Sequence, residues 1–166
     1  MSRPTILPVT TDEAIQNVSI LADEIWHQHY VPIIGEAQVD YMVEKFQSLP
    51  AISKQIRQDG YEYFLLSMDD LLAGYAGVLV EEDSLFLSKL YIKESFRGMG
   101  LARQTVDFLK NICKERNLDR IYLTCNINNH NTLNVYDRLG FKIIESVVGD
   151  IGHGFVMDDY ILELKI

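Results

Sequence analysis

Three apolar runs in succession, Tyr63 to Ser67, Leu71 to Val80 and Leu85 to Ile92, are separated only by short acidic stretches at Asp69-Asp70 and Glu82-Asp83. Connections this short can join only antiparallel neighbours, because a parallel pair needs a crossover of about a dozen residues or more. The runs therefore predict a meander of strands. Ahead of it, Thr5 to Val9 reads as a short strand, and Thr10 with Glu13 forms a capping box for a helix starting near Thr11. Ala14, Val18, Leu21, Ala22 and Ile25 carry that helix to about Trp26, with Val31-Pro32 ending the element. A second helix bears Val39, Met42, Val43 and Phe46. Between them Trp26 to Gly35, rich in aromatic and histidine residues, is expected to be a connection of the kind that forms binding walls.

Downstream of Gly100, the residues Leu101, Thr105, Phe108, Leu109, Ile112 and Cys113 fall on one helical face, and the helix is expected to end before Leu118. A buried strand follows at Ile121 to Cys125. Asn129 or Asn131 then caps a short helix with Leu133, Tyr136 and Leu139, which Gly140 stops. Phe141 to Val148 and Met157 to Leu164 close the chain as strands around the glycine-rich stretch from Gly149 to Gly154. This order predicts a single α+β (mixed α/β) domain over residues 1–166, a central, mostly antiparallel sheet flanked by helices.

Composition removes several function classes. Apolar residues make up 48% and charged residues 23% of the 166, an ordinary globular balance. A formal charge of −9 opposes phosphate backbones, and no Lys/Arg cluster offsets it, so nucleic acid is not an expected partner. An acidic surface suits a cationic partner, although solubility alone accounts for it. No apolar run approaches the roughly 18 residues of a membrane span, and Met1-Ser2-Arg3-Pro4-Thr5 lacks a signal-peptide core. The expectation is a cytoplasmic protein without a membrane partner. Cys113 and Cys125, both within apolar patterns, read as buried reduced thiols. His27, His29, His130 and His153 show no ligand-like spacing, so no metal is expected.

The segment from Leu90 to Ala102 is a strand, a glycine turn and a helix start, and its chemistry is anion binding. Gly98 and Gly100 allow backbone to approach a ligand, while the helix start offers unpaired N–H groups and the positive end of its dipole. A nucleotide triphosphate loop is excluded, since no Gly-Lys-Ser/Thr follows and no lysine lies among residues 94 to 109. A dinucleotide fingerprint fits poorly: the third glycine is missing, and the next strand ends at Asn126 without a ribose-binding acid.

Arg97-x-x-Gly100-x-Ala102 instead resembles the pyrophosphate signature Gln/Arg-x-x-Gly-x-Gly/Ala of the GNAT N-acetyltransferase superfamily. Asn129 to Phe141 resembles that family's later motif, in which an asparagine opens a helix, a tyrosine follows near its end, and Gly-Phe starts the next strand. Gly154 to Tyr160 is similar to the ending of many bacterial members. The resemblance covers roughly residues 60 to 166. It implies that acetyl-CoA is the cosubstrate, bound in the cleft after the fourth strand, with the acetyl group passing to a primary amine of a small molecule or peptide. Leu90, Tyr91 and Ile92 would pair with the pantetheine arm as an added strand does. An N–H of Leu90 or Tyr91 would steady the thioester oxygen. The N–H groups from Arg97 through Gly98, Met99, Gly100 and Leu101 to Ala102 would hold the pyrophosphate, and the Asn129 amide the pantetheine. Tyr136 would be the general acid, since a phenol with a pKa near 10 is protonated at neutral pH and close to the thiol near 8.5 that it must protonate.

The base is not assigned. Some members, polyamine acetyltransferases among them, carry a glutamate in the strand before the glycine turn where this chain has Ser88. Glu24, His29, Tyr30 and Tyr91 are the other candidates. Neither cysteine sits in an activating context, so transfer within a ternary complex is expected rather than a covalent enzyme intermediate. The rival classes are a non-catalytic acyl-CoA sensor or regulatory module, which would keep the cofactor site, and an interaction domain, which would leave both motifs unexplained. A homodimer is open as the assembly.

Overall fold

The computed structural model describes residues 3–166; Met1 and Ser2, which open the stretch read as lacking a signal, lie outside the described residues. Among the described residues seven strands are hydrogen-bonded in the order β1-β2-β3-β4-β5-β7-β6. The pairs β1–β2, β2–β3, β5–β7 and β6–β7 are antiparallel and β4–β5 is parallel. The mixed α/β class and the mostly antiparallel sheet are as the sequence predicts. The chain divides into two compact units, Met1–Leu79 with Lys89–Thr105, and Val80–Ser88 with Val106–Ile166.

In the first unit, β1 (Pro4–Pro8) is followed by helices α1 (Asp12–Ile34), α2 (Glu36–Gln47) and α3 (Leu49–Arg57), then β2 (Tyr61–Met68) and β3 (Leu71–Val80, up to Leu79). The cap of α1 is Thr11, whose hydroxyl accepts from the Ala14 N–H, rather than Thr10. More consequentially, α1 does not stop near Trp26: it continues through Pro32, so the expected connection from Trp26 to Gly35 is helical almost throughout. The energetic reason lies in Trp26 and Tyr30, one turn apart, whose rings meet edge-on at 5.5 Å and are both buried. Burying two such rings is worth on the order of 4 kcal/mol each, more than the roughly 3 kcal/mol that an interior proline costs. Gly35, at φ 91°, then closes the helix with its N–H on the Val31 carbonyl.

Helix α3 is absent from the sequence reading. Its first turn holds Pro50, where a missing N–H costs nothing, and the Ser48 hydroxyl caps it through the Ala51 N–H. The Asp69-Asp70 turn has both residues at positive φ, 52° and 68°, the twist-matching geometry of a two-residue hairpin. Ile15, Val18, Ile25, Val39, Ile52 and Leu66 are buried in this unit.

The second unit contains the first part of β4 (Ser84–Ile92), most of α4 (Leu101–Glu115), β5 (Arg120–Asn126), α5 (His130–Arg138), β6 (Lys142–Gly152) and β7 (Phe155–Lys165). Val106, Leu109, Ile112 and Cys113 of α4 are buried, and Phe108 only partly, so the buried face lies closer to Val106 than the sequence pattern suggests. The glycine-rich stretch is mostly strand: β6 and β7 pair as far as Gly152 and Phe155, and only His153-Gly154, at φ 52° and 76°, make the turn.

Candidate active site

The first unit contains Leu90, Tyr91, Ile92, Arg97, Gly98, Met99, Gly100, Leu101 and Ala102; Asn129 and Tyr136 belong to the second. Each group has its own local logic.

In the first, the end of β4 is locked by its neighbours. The Lys93 N–H donates to the Ala73 carbonyl at 2.7 Å. Gly74 is a close approach: a Cβ there would stand 2.2 Å from the Tyr91 carbonyl oxygen. A 3₁₀ turn, Glu94–Phe96, leads into the glycines, and Ile92 and Phe96 pack on Met68, Ala73 and Leu101. The Arg97 N–H donates to the Glu94 carbonyl, and the Arg97 Nε to the Ile92 carbonyl, so this residue closes the turn. Gly98 and Gly100 sit at φ 77° and 82°, and a Cβ on either would meet no protein atom within 4 Å. Both glycines are thus required by backbone conformation and face open space. Leu101 starts α4, whose first N–H groups have no acceptor within their own helix.

Around the same strand stands an aromatic cluster. Tyr91 approaches Trp26 at 5.4 Å, Tyr75 at 5.7 Å and Tyr30 at 6.0 Å between ring centroids. The Tyr30 and Tyr91 hydroxyls are 3.0 Å apart. The indole N–H of Trp26 donates to the Tyr75 hydroxyl, which donates to Gln47; the Gln47 amide donates to the Tyr63 hydroxyl, which donates to Gln55. Burial pushes the Tyr75 phenol well above its ordinary range. Lys89 is partly buried with its ammonium 5.9 Å from the Trp26 ring centroid, and loss of water around it pulls its pKa down to about 8. Of the other base candidates, Glu24 pairs with Lys93 at 3.4 Å, and the His29 ring stands edge-on to Tyr30 at 4.9 Å.

In the second unit, Asn129 occupies the cap position of α5 but makes no side-chain capping bond. The other end of α5 explains where Tyr136 sits. The Phe141 N–H donates to the Tyr136 carbonyl and the Gly140 N–H to the Asp137 carbonyl, with Gly140 at φ 99°, a glycine-terminated helix end. The Tyr136 and Phe141 rings meet edge-on at 5.3 Å, the hydrophobic contact that accompanies such an end. Tyr136 is therefore held through its carbonyl and its ring, and is 7% exposed. Cys125 is buried and its thiol is pushed up to about 12, and burial also raises Cys113, so neither offers a thiolate at neutral pH.

Among the described residues no cluster of three His, Cys, Asp or Glu side chains could hold a metal, and no helix is long and apolar enough to cross a membrane. Lys89 and Asp159 carry no local sequence signal: the first is covered by Trp26 of α1, and the second lies in β7 between β5 and β6.

Comparison with known proteins supplies the wider context. The model of the acetyltransferase (GNAT) family matches residues 22–141. A putative [ribosomal protein bS18]-alanine N-acetyltransferase of Bacillus subtilis (strain 168) is 28% identical over 80 residues, covering 48% of this chain and 53% of the relative, so the match spans about half the length of that curated relative. The crystal structure of PaiA N-acetyltransferase from Thermoplasma acidophilum, in complex with coenzyme A, superimposes with a TM-score of 0.81 at 17% identity over 99% of each chain. The ribosomal-protein-S18-alanine N-acetyltransferase from Escherichia coli gives a TM-score of 0.69 at 18% identity, over 99% of this chain and 94% of that one. At these identities the structural likeness establishes the fold.

Proposed function

The chain belongs to the acetyltransferase (GNAT) family, and from that premise we propose that residues 1–166 act as one acetyl-CoA-dependent N-acetyltransferase domain, whose acceptor is a primary amine of a small molecule or peptide. The observation that carries the reading is the glycine turn before α4, where two glycines at positive φ face open space at a helix start. That arrangement suits the pyrophosphate of coenzyme A, with the N–H groups of Gly98 to Ala102 as donors and the Arg97 N–H already spent on the turn. Leu90, Tyr91 and Ile92 offer strand backbone to the pantetheine arm, and Asn129 its amide.

The amine nitrogen attacks the thioester carbon, the C–S bond breaks with its electron pair on sulfur, and the Tyr136 hydroxyl protonates the departing thiolate. The carbonyl of Tyr136 closes the helix end and its ring packs on Phe141, contacts that a phenylalanine would keep. The aromatic cluster of Trp26, Tyr30 and Tyr91 is assigned to the acceptor. Tyr91, the part-exposed member, presents its ring to an apolar or cationic chain, and the buried rings of Trp26 and Tyr30 hold it in place.

The test is consumption of acetyl-CoA across a panel of small amines and peptides with free N-termini. Acetylation of at least one, with loss of its ammonium charge in the product, is the expected result. Binding of coenzyme A without consumption would favour the sensor reading, and neither binding nor consumption would overturn the proposal.

A further inference from the structure

Among the described residues, a single buried side-chain oxygen lacks any hydrogen-bond partner: Oδ1 of Asp159 in β7. Buried polar atoms are nearly always satisfied, and a lone carboxylate oxygen costs more than most, so an exception calls for an explanation. No donor of the described residues reaches it. Across β5 the residue in register is Asn126, whose side-chain oxygen accepts from the Asn128 N–H at 2.9 Å. Across β6 it is Val147, which carries no charge and no side-chain donor. The charged neighbour that acts on Asp159 is Asp158 in its own strand, an acid of like charge, while the Cys125 thiol of β5, raised first by burial, is raised further by Asp159. No cation balances the carboxylate within this group.

Its position adds a second argument. The Ile127 N–H donates to the Asp158 carbonyl, and the Asn129 N–H to the Asn126 carbonyl, both at 3.0 Å. These bonds fix the end of the β5–β7 pair to the start of α5, the helix that bears Asn129 and Tyr136. The unsatisfied carboxylate thus stands where β5 hands over to the helix carrying the proposed acid.

We propose that Asp159 binds the ammonium group of the acceptor and takes a proton from it, acting as the base of the transfer. This rests on the acetyltransferase reading above. An ammonium N–H supplies both the missing hydrogen bond and the missing charge. The ammonium gives one proton to the carboxylate, and the freed electron pair forms the C–N bond to the thioester carbon. The C–S bond breaks with its electrons on sulfur, which takes the Tyr136 proton. The nitrogen then loses a second proton, which restores the tyrosine through solvent, and Asp159 releases its own, for a net yield of amide, thiol and one proton. Burial, with the Asp158 charge adding to it, pushes the Asp159 carboxyl up to about 6, close enough to neutrality for a base that is ionised at pH 7 yet able to hold a proton.

The experiment uses the full chain, coenzyme A, and the best acceptor from the amine panel. With Asp159→Asn, kcat/KM for the acceptor should fall by about 10² to 10⁴-fold, the range for a positioned acid or base, with coenzyme A affinity retained. The acidic limb of the wild-type pH profile, near pH 6, should disappear in the variant. Should Asp159→Asn not fold, Asp159→Glu carries the test, and its acidic limb must move from the wild-type position. An unchanged rate, or a fall in rate with the limb intact, overturns the assignment while leaving acetyl transfer standing. Wild-type protein that consumes no acetyl-CoA with any amine overturns acetyl transfer and this inference with it.

Discussion

The glycine turn before α4 and the helix α5 both carry proposed chemistry, but through different atoms. At the turn the groups on offer are backbone N–H donors, and the side chains matter by their absence: Gly98 and Gly100 have positive φ and nothing within 4 Å of a notional Cβ. In α5 the proposed group is one side-chain hydroxyl, on a residue whose ring and carbonyl are committed to the helix end. A function carried by backbone is vulnerable to added bulk; one carried by a side chain is vulnerable to loss of an atom. Gly74 provides the contrast that keeps this distinction honest, because it too must be glycine but for packing: the Tyr91 carbonyl fills its missing side chain's place.

The sharpest separation should come from Tyr136→Phe. Removing one oxygen keeps the edge-on contact with Phe141 and the carbonyl that accepts from it, so melting temperature and coenzyme A affinity should stay as in the parent. Turnover should fall by roughly 10 to 10⁴-fold, read by single-turnover kinetics so that product release does not mask the step. Parental turnover would leave Tyr136 as a packing residue and dissolve the contrast with the glycine turn.

Next in size is Gly74→Ala. A Cβ at 2.2 Å from the Tyr91 oxygen and 3.0 Å from the Ile92 Cα forces β4 backbone to move. Overpacking of this kind costs about 3 kcal/mol, a fall of roughly 6 to 12 °C in melting temperature for a chain of this size. Thermal unfolding that matched the parent would show that β3 and β4 give way at no expense.

Gly100→Val makes the opposite demonstration. The valine would meet no protein atom near its Cβ, so beyond the strain of holding a branched residue at φ 82°, about 1 to 2 kcal/mol, the fold should survive. A ligand at the turn would meet it directly, and calorimetric titration should show coenzyme A affinity reduced by about tenfold or more, equivalent to about 1.4 kcal/mol. Equal affinity in a folded variant would remove the turn from the cofactor site.

The smallest effect concerns neither region and sets a baseline. His27 joins α1 to α2 through Nε2 and the Asp40 carboxylate at 2.5 Å, and also contacts the Asp23 carbonyl at 2.7 Å; these two bonds, in that order, raise its pKa. A raised folded pKa contributes stability that is fully present below the unfolded value of about 6.5 and is lost as pH rises through the folded value. The group is partly exposed, so the contribution should stay below about 1 kcal/mol. His27→Gln should lower the melting temperature at pH 5.5 by a few degrees and change little at pH 9; equal losses at both would assign the effect to packing.

What the residues alone determined was local. The meander follows from runs joined by two acidic residues. The end of α5 follows from Gly140-Phe141, and the turn before α4 from glycines ahead of an amphipathic run. Each is a statement about φ, hydrogen-bond supply or period, and neighbouring residues suffice to make it. Tertiary structure decided what depended on distant partners. Helix α1 passes through Pro32 because Trp26 and Tyr30 are buried there, and the glycine-rich stretch became strand because β6 and β7 keep pairing to Gly152 and Phe155. Asp159 acquired its unsatisfied oxygen only from the strands set beside it: whether a carboxylate is solvated or stranded is a property of its surroundings, and those come from residues far away in the chain.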